Sequence, residues 1–413
     1  MRFYVETFGC TMNQGESRDL ADALISLGHD RVVSELEADL VLINTCVVIK
    51  PTELKIMRRL RQLNQEGKDM IIAGCLPAVQ MDVLKAEFPD SIIVPPKDYP
   101  GFMEEVRSRL GSLECQHLST LEEVTGILPV AQGCLGNCTY CLTKKARGHL
   151  SSLPADEVIR RARVLLDRGS KELLVTAQDT GCYGQDIGTD ISHLISALTA
   201  IDGDFQVRVG MMNPDSISGM VPLLVNAWSH TKVYKFIHLP VQSGSESVLK
   251  AMGRGYDVKT FLNQVSAFRK VWPKMSMATD IITGFPGETS ADHELSLELI
   301  RNVRPSTVNV TRFSPRQGTP AAKSMNQVPG WIIKDRSREM AKLRFEISTG
   351  HYSQFIDDEI SILVTEQGKN GTLIGRSIEY APVVIPVGKC SIGCQVKVEI
   401  IGHAATHLIG RVL

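Results

Sequence analysis

Residues 133–149 read GCLGNCTYCLTKKARGH. Cys134, Cys138 and Cys141 stand in C-x3-C-x2-C order, Tyr140 sits beside the last of them, and Lys144, Lys145 and Arg147 follow. Three thiolates in one short loop can hold three irons of a cubane and leave the fourth iron open, whereas a fully ligated [4Fe–4S] cluster takes four cysteines. A zinc loop needs a nearby fourth ligand, for which His149 is the candidate. The spacing therefore points to an iron–sulfur cluster with a vacant coordination site.

Working outward, strand-like runs fall at 127–131, 172–176, 206–209, 235–239, 277–282 and 307–311. Helical periodicity falls between them at 155–167, 191–200, 215–228, 258–271 and 291–302. Six βα units fit an open, partial (β/α)6 version of the (β/α)8 barrel, whose active site lies at the carboxyl ends of the strands. The three-cysteine loop follows the first strand and so belongs to that face. The turns after the other strands, AQDTGCYGQD, MMNPDS, PVQSGSE, TGFPGE and RFSPRQGT, are polar and Gly-containing or Pro-containing. Together they offer backbone N–H groups and side-chain acceptors to a nucleotide-like ligand. Cys182 reads as a small loop side chain and His238 as a packed strand-end residue. Asp280 and Glu288 suit a ligand amine or ribose, or equally a cap or a turn.

Upstream, residues 1–110 alternate strands at 2–8, 39–43, 70–73 and 92–94 with helices at 16–27, 51–63, 79–88 and 99–110. That pattern implies a parallel, doubly wound α/β domain. Cys10, Cys46 and Cys75 each lie just past a strand, where ligands of open α/β sheets gather. One such cysteine is ordinary space-filling; three in equivalent places suggest a second three-cysteine cluster. Gly9 and Gly74 precede two of them, and Asn13, Asn44 and Thr45 lie close enough in sequence to donate hydrogen bonds or cap turns. Lys55, Arg58, Arg59 and Arg61 read as a solvated helix face.

Residues 111–126 read as a linker, with Cys115 incidental. The barrel domain runs over 127–345 and ends in a basic helix around 334–344. In 346–413, five short strands with Gly-containing turns suit a small β-barrel of the kind that holds RNA. Cys390 and Cys394 form a C-x3-C pair without a third partner, incidental or weakly metal-binding.

The chain has 413 residues, 43% of them hydrophobic and 22% charged, with a net charge of -1, so nucleic acid must be held by local basic patches. Ten cysteines are too sparse for a disulfide scaffold and point to metal in a reducing compartment. No signal peptide and no run near the ~20 apolar residues of a membrane span is present, so a soluble cytoplasmic protein is expected.

These motifs in this order resemble the radical S-adenosylmethionine (AdoMet) methylthiotransferases, the tail resembling their TRAM domain. TKKARGHLSSLP, AQDTGCYGQD, RVGMMNP and PVQSGSESVLKAMGRGY look most like the archaeal and eukaryotic branch, which acts on threonylcarbamoyladenosine in tRNA. The eukaryotic members carry a C-terminal membrane anchor, and the chain's end at Leu413 favours the archaeal type. The resemblance implies two [4Fe–4S] clusters, one on Cys134, Cys138 and Cys141 and one on Cys10, Cys46 and Cys75. The first binds AdoMet and yields a 5′-deoxyadenosyl radical that takes the hydrogen from adenine C2; the second presents sulfur for methylation and transfer. It further implies AdoMet contacts at Tyr140, Gln178, Asp179, Gln242, Ser243, Gly284 and Glu288, a flavodoxin- or ferredoxin-like electron donor, and a sulfur donor. Arg147, Arg254, Arg312 and Arg316 are expected at tRNA phosphates or the modified base, by charge and face. Isopentenyladenosine tRNA or a ribosomal-protein aspartate are alternative targets, and a non-catalytic iron–sulfur RNA sensor is an alternative of another class.

Overall fold

A computed structural model describes residues 1–110, 124–388 and 390–413; Cys115 and all of the 111–126 linker except 124–126 lie outside the described residues. The first domain contains β1 (Arg2–Thr7), α1 (Thr11–Ser26), β2 (Asp30–Arg31), β3 (Leu40–Thr45), α2 (Lys50–Gln65), β4 (Asp69–Gly74), α3 (Cys75–Glu87), β5 (Ile92–Val94) and α4 (Phe102–Leu110). Its sheet is parallel with order β2-β1-β3-β4-β5. β3, LVLINT, is buried along its whole length, as a central strand covered on both faces must be. The order reverses between β1 and β3, which opens a crevice at the strands' carboxyl ends. Three features differ from the sequence expectation, the first being α3, which begins at Cys75 rather than at 79. β2 is a polar, exposed pair of residues with no periodicity to reveal it. α1 begins at Thr11 rather than at 16, because its polar first turns are buried: Asn13 is 1% and Glu16 5% exposed.

The second domain contains β6 (Thr125–Pro129), β7 (Ala131–Gln132), α5 (Thr143–Arg147), β8 (Ser151–Ser152), α6 (Ala155–Asp167), β9 (Glu172–Thr176), α7 (Ile191–Thr199), β10 (Gln206–Val209), α8 (Val221–Trp228), β11 (Phe236–His238), α9 (Glu246–Ala251), α10 (Val258–Val271), β12 (Ser276–Thr283), α11 (Ser290–Val303), β13 (Thr307–Arg312) and α12 (Gly330–Tyr352). β10-β9-β6 and β11-β12-β13 form two parallel halves. The halves meet at a Val207–Val233 bridge and a 2.9 Å bond from Met212 N–H to the His238 carbonyl. The result is an open six-stranded barrel around Leu128, Val175, Val207, Ile237 and Met277, with Trp228 and Phe268 packed from the helices. The helix expected over 215–228 starts only at Val221, since Gly219 takes φ 84° and Pro222 fits a first turn. Six-residue α9 was too short for its periodicity to register.

An open barrel leaves an edge strand, and here α1 covers it. Gly15 lies so close to β6 that a Cβ there would stand 2.9 Å from Ile127 Cγ2 and 3.0 Å from Pro129 Cγ. Three residues on, Arg18 Nη2 donates to the Thr125 carbonyl at 3.2 Å. α1 therefore descends β6 from its carboxyl end to its amino end. Its start, at Cys10, projects about 7 Å beyond Gly15 toward the face that carries the three-cysteine loop.

The tail is a closed barrel, β14 (Glu359–Gln367), β15 (Thr372–Ser377), β16 (Pro382–Pro386), β17 (Gln395–His403) and β18 (Leu408–Val412), in the order β14-β15-β16-β18-β17. It docks near the amino end of β11: the Tyr380 ring lies 4.8 Å from Tyr234 and 5.1 Å from Phe236, and Lys235 N–H donates to the Ile378 carbonyl at 2.7 Å. Among the described residues no helix is long and apolar enough to cross a membrane.

Candidate functional site

Cys10 is the N-cap of α1 and Cys75 the first residue of α3, while Cys46 directly follows β3. Helix N-termini present unpaired N–H groups and the positive end of the dipole, which favour a thiolate. Polar side chains tie the strand ends together. Asn13 Nδ2 donates to Asn44 Oδ1 at 2.8 Å and to the Thr45 carbonyl at 3.1 Å, and Asn44 Nδ2 returns a 2.9 Å bond to the Asn13 carbonyl. The Cys10 thiol donates to Asn13 Oδ1 at 3.2 Å. Gly74, at φ 93°, admits no side chain: a Cβ would stand 2.4 Å from the Thr45 carbonyl oxygen. Val48 N–H donates to Cys46 Sγ at 3.4 Å, and Arg147 Nε donates to Cys75 Sγ at 3.1 Å. Burial pushes the Cys75 thiol up to about 12 and raises Cys46.

The loop cysteines rest on a pinched base. β7 and β8 pair antiparallel, and a Cβ on Gly133 (φ 80°) would stand 1.9 Å from the His149 carbonyl oxygen. Gln178 Oε1 accepts the Gly133 N–H at 2.7 Å, so this side chain fastens the loop to the turn after β9. Gly136 N–H donates to Cys134 Sγ at 3.2 Å and Thr143 N–H to Cys141 Sγ at 3.3 Å. The loop tip is clamped as well: Thr139 N–H donates to the Met252 carbonyl at 2.9 Å, and Ala321 N–H to the Thr139 carbonyl at 3.0 Å. Burial, together with the neighbouring acid and thiols, pushes Cys134 up to about 11. Among the described residues no three donors converge on a single ion. A cubane asks for a different arrangement, one thiolate per iron with the sulfurs spread around it. The N–H donors aimed at four of the six sulfurs suit that group, because they stabilise thiolate charge that an apolar site would oppose.

On the barrel face, two residues expected at AdoMet are committed to the protein itself. Asp179 is 2% exposed; its Oδ1 accepts the Gly181 and Asn213 N–H groups, each at 3.0 Å, and its Oδ2 accepts the Ser216 hydroxyl. It organises its turn. Glu288 accepts Gly284 N–H at 2.6 Å, Phe285 N–H at 3.2 Å and Arg336 Nη1 at 2.9 Å, and so fixes the TGFPGE turn. Gly284 packs under Ile333, and Ser243 is buried beside Ser296. Gln242 adopts φ 70° while its backbone bonds Asp280 and Ile282, which extends the β11–β12 pairing. The Tyr140 hydroxyl accepts Arg254 Nη2 at 2.6 Å, with its ring edge-on to Phe285.

The sequence reading named His238 and Asp280 singly but missed the polar group they form with Asn309 inside the barrel mouth. His238 Nε2 lies 3.0 Å from Asp280 Oδ1, and Asn309 Nδ2 donates to the same oxygen at 2.7 Å. The three come from adjacent strands, with Asp280 opposite Asn309 in register. Burial alone would raise Asp280, but the His238 and Asn309 bonds outweigh it and hold the carboxyl below its ordinary range. One signal was available: an acid interrupting the apolar strand SMATDIIT.

Of the four arginines expected at RNA, only Arg312 is exposed, its Nε donating to Ser337 Oγ at 2.7 Å. Arg147 is a correction: it is 4% exposed, with both terminal nitrogens on the Glu16 carboxylate, and so offers no surface charge to a phosphate. Beside it, Lys144 donates to Asn137 Oδ1 at 2.7 Å and Lys145 stays exposed. Arg254 is half-buried between Tyr140 and Asn213. Arg316 is 6% exposed; Nη2 bonds Glu53, while Nε and Nη1 have no partner among the described residues. Arg59 and Arg61 of α2 are engaged by Glu6 and Glu87. Cys182 is fully buried and donates to the Asp179 carbonyl at 3.1 Å.

Comparison with known proteins bears on this arrangement. Residues 2–95 match the family described as Uncharacterized protein family UPF0004, 128–300 the Radical SAM superfamily, and 356–413 the TRAM domain. The chain is 39% identical over 429 residues to a Pyrococcus horikoshii protein named probable threonylcarbamoyladenosine tRNA methylthiotransferase, covering 100% of both. It is 31% identical over 418 residues to the Homo sapiens threonylcarbamoyladenosine tRNA methylthiotransferase, covering 97% of this chain and 72% of the human one. In fold it is similar to the radical S-adenosylmethionine methyltransferase TsrM from Kitasatospora setae, with a TM-score of 0.55 at 11% identity over 78% of this chain and 77% of that one. The chain belongs to the radical AdoMet methylthiotransferase family, in the branch whose archaeal and eukaryotic members are named threonylcarbamoyladenosine tRNA methylthiotransferase.

Proposed function

We propose that this enzyme places a methylthio group on adenine C2 of threonylcarbamoyladenosine beside the anticodon of tRNA, using AdoMet and two [4Fe–4S] clusters. The observation that carries the reading is the juxtaposition of two cysteine sets: α1 brings Cys10 to the end of β6, and Arg147 reaches from the loop of one set to Cys75 of the other. Cys134, Cys138 and Cys141 would hold the first cluster, and Cys10, Cys46 and Cys75 the second. When bound, the first supplies radical cleavage of AdoMet, the chemistry a strong, non-acidic adenine C–H bond requires.

The chain's own part is placement. Gln178 and Gly133 set the base of the loop, and Thr139 sets its tip. Tyr140, Arg254, Asn213 and the His238–Asp280–Asn309 group form the polar floor that AdoMet and the base would meet. Arg312 and Lys145, both exposed, suit anionic groups of the RNA. We assign 1–110 to the sulfur-bearing cluster, 127–345 to the radical barrel and 346–413 to RNA binding. A flavodoxin- or ferredoxin-like electron donor and a separate sulfur donor complete the system, in the cytoplasm.

Anaerobic turnover on threonylcarbamoyladenosine-containing tRNA, followed by nucleoside mass spectrometry, tests this. The methylthio derivative is expected. Product only on isopentenyladenosine tRNA, or only on a ribosomal protein, would replace the substrate assignment. Absence of 5′-deoxyadenosine from the reduced protein would leave a non-catalytic sensor.

A further inference from the structure

We propose that Arg147 is a positioning residue for the N-terminal cluster: its guanidinium donates a hydrogen bond to a cluster sulfur, raises that cluster's reduction potential and holds the two cysteine sets at one spacing. The inference rests on the two-cluster reading above. Arg147 ends α5, and Gly148, at φ 78°, then turns the chain away toward β8. Its side chain crosses from the barrel into the first domain and is only 1% exposed. There Nη1 and Nη2 grip the Glu16 carboxylate, Nη2 at 2.9 Å, while Nε donates to Cys75 Sγ at 3.1 Å. The Tyr99 hydroxyl stands 3.5 Å from the same carboxylate.

The geometry uses what only arginine offers. A planar fork can hold a carboxylate with two nitrogens and present the third at a fixed angle to another group. A lysine ammonium, a single point of charge on a flexible stem, cannot do both. Glu16 also fixes the electrostatics. The Arg147–Glu16 pair is neutral overall, so its effect on Cys75 is carried by the directed N–H and its local dipole. A hydrogen bond to a thiolate sulfur favours the state with more negative charge, so it eases one-electron reduction of the cluster. The other sulfurs that accept hydrogen bonds, those of Cys46, Cys134 and Cys141, take them from backbone N–H groups within two residues. Cys75 takes its bond from a side chain 72 residues away, rooted beside the other cysteine set. Any shift of the loop that carries Cys134, Cys138 and Cys141 is thereby felt at the second cluster's sulfur.

The experiment uses the full chain with Cys134, Cys138 and Cys141 replaced by alanine, reconstituted so that only the N-terminal cluster is present. Dithionite supplies the electron in an EPR-monitored titration, and the protein is made with 15N-arginine for pulsed EPR. With Arg147 in place, a 15N coupling to the reduced cluster is expected, and it should vanish in Arg147→Lys. The midpoint potential of Arg147→Lys and Arg147→Gln should shift to more negative values with iron content retained. Absence of the 15N coupling, or an unshifted potential in Arg147→Lys, overturns the proposal. If a variant loses its iron, the coupling in the parent protein still decides. A triple-alanine protein that binds no iron overturns the two-cluster reading itself and the proposal with it.

Discussion

Arg316, in the loop after β13, donates to Glu53 at the start of α2, 263 residues earlier in the chain. Both side chains are buried, at 6% and 4% exposure, and Lys50 and Gln80 also bond Glu53. The pair joins the barrel to the first domain close to the segment that carries Cys46. Removing one partner of a buried pair strands the other, so Glu53→Ala should cost on the order of 3 kcal/mol in denaturant unfolding. A Glu53→Met, Arg316→Met double variant should be closer to wild type than Glu53→Ala. A loss below 1 kcal/mol, as for an exposed pair, would show that the contact is not formed in solution.

The exposed guanidinium of Arg312 leads to a separate expectation. Arg312→Met should weaken tRNA binding and lower the slope of log K against log salt by about one. Anisotropy titrations across salt concentrations measure this, and an unchanged slope would leave Arg312 to its contact with Ser337 alone.

Replacing Cys10, Cys46 or Cys75 by alanine should remove about half of the bound iron while AdoMet cleavage persists. Gly74→Ala should act in the same way without touching a ligand, because its Cβ would overlap Thr45 and displace Cys75. Gly133→Ala should instead impair AdoMet cleavage, since its overlap with His149 opens the base of the other loop. Iron assay and 5′-deoxyadenosine release separate the two classes. Equal iron loss and equal cleavage from both glycine variants would contradict separate sites.

His351 lies in the last turn of α12, 8% exposed, against Tyr352 and Phe355. Burial, followed by the nearby charge of Arg269, pushes its pKa from 6.5 down to about 4. The unfolded chain therefore binds a proton that the folded chain refuses. The neutral folded state keeps its full stability above pH 6.5 and loses it as pH falls toward 4. The loss amounts to about 3 kcal/mol at most. Thermal melts of wild type and His351→Gln across this window should converge toward low pH; parallel curves would place the histidine in water.

Much of the architecture was legible from residue order alone. The period-two and period-3.6 patterns located nearly every strand and helix of the barrel, because a buried face repeats locally. Residues 133–149 marked the three-cysteine loop as the candidate cluster site, because thiolate spacing is a short-range property. The placement of Cys10, Cys46 and Cys75 followed from strand ends in an α/β sheet. What the residue order left open was decided by contacts between distant segments. Arg147 read as surface charge beside two lysines until folding buried it on Glu16, 131 residues upstream. Residue order offered Asp179 to a ligand and Glu288 to a ligand or a turn, and folding engages the oxygens of both within their own turns. The cover of α1 over the open edge of β6, which sets one cysteine group beside the other, has no sequence signature beyond a glycine at 15. Local periodicity encodes which face of an element is buried; it carries no record of which partner buries it, and only the assembled tertiary structure supplies that partner.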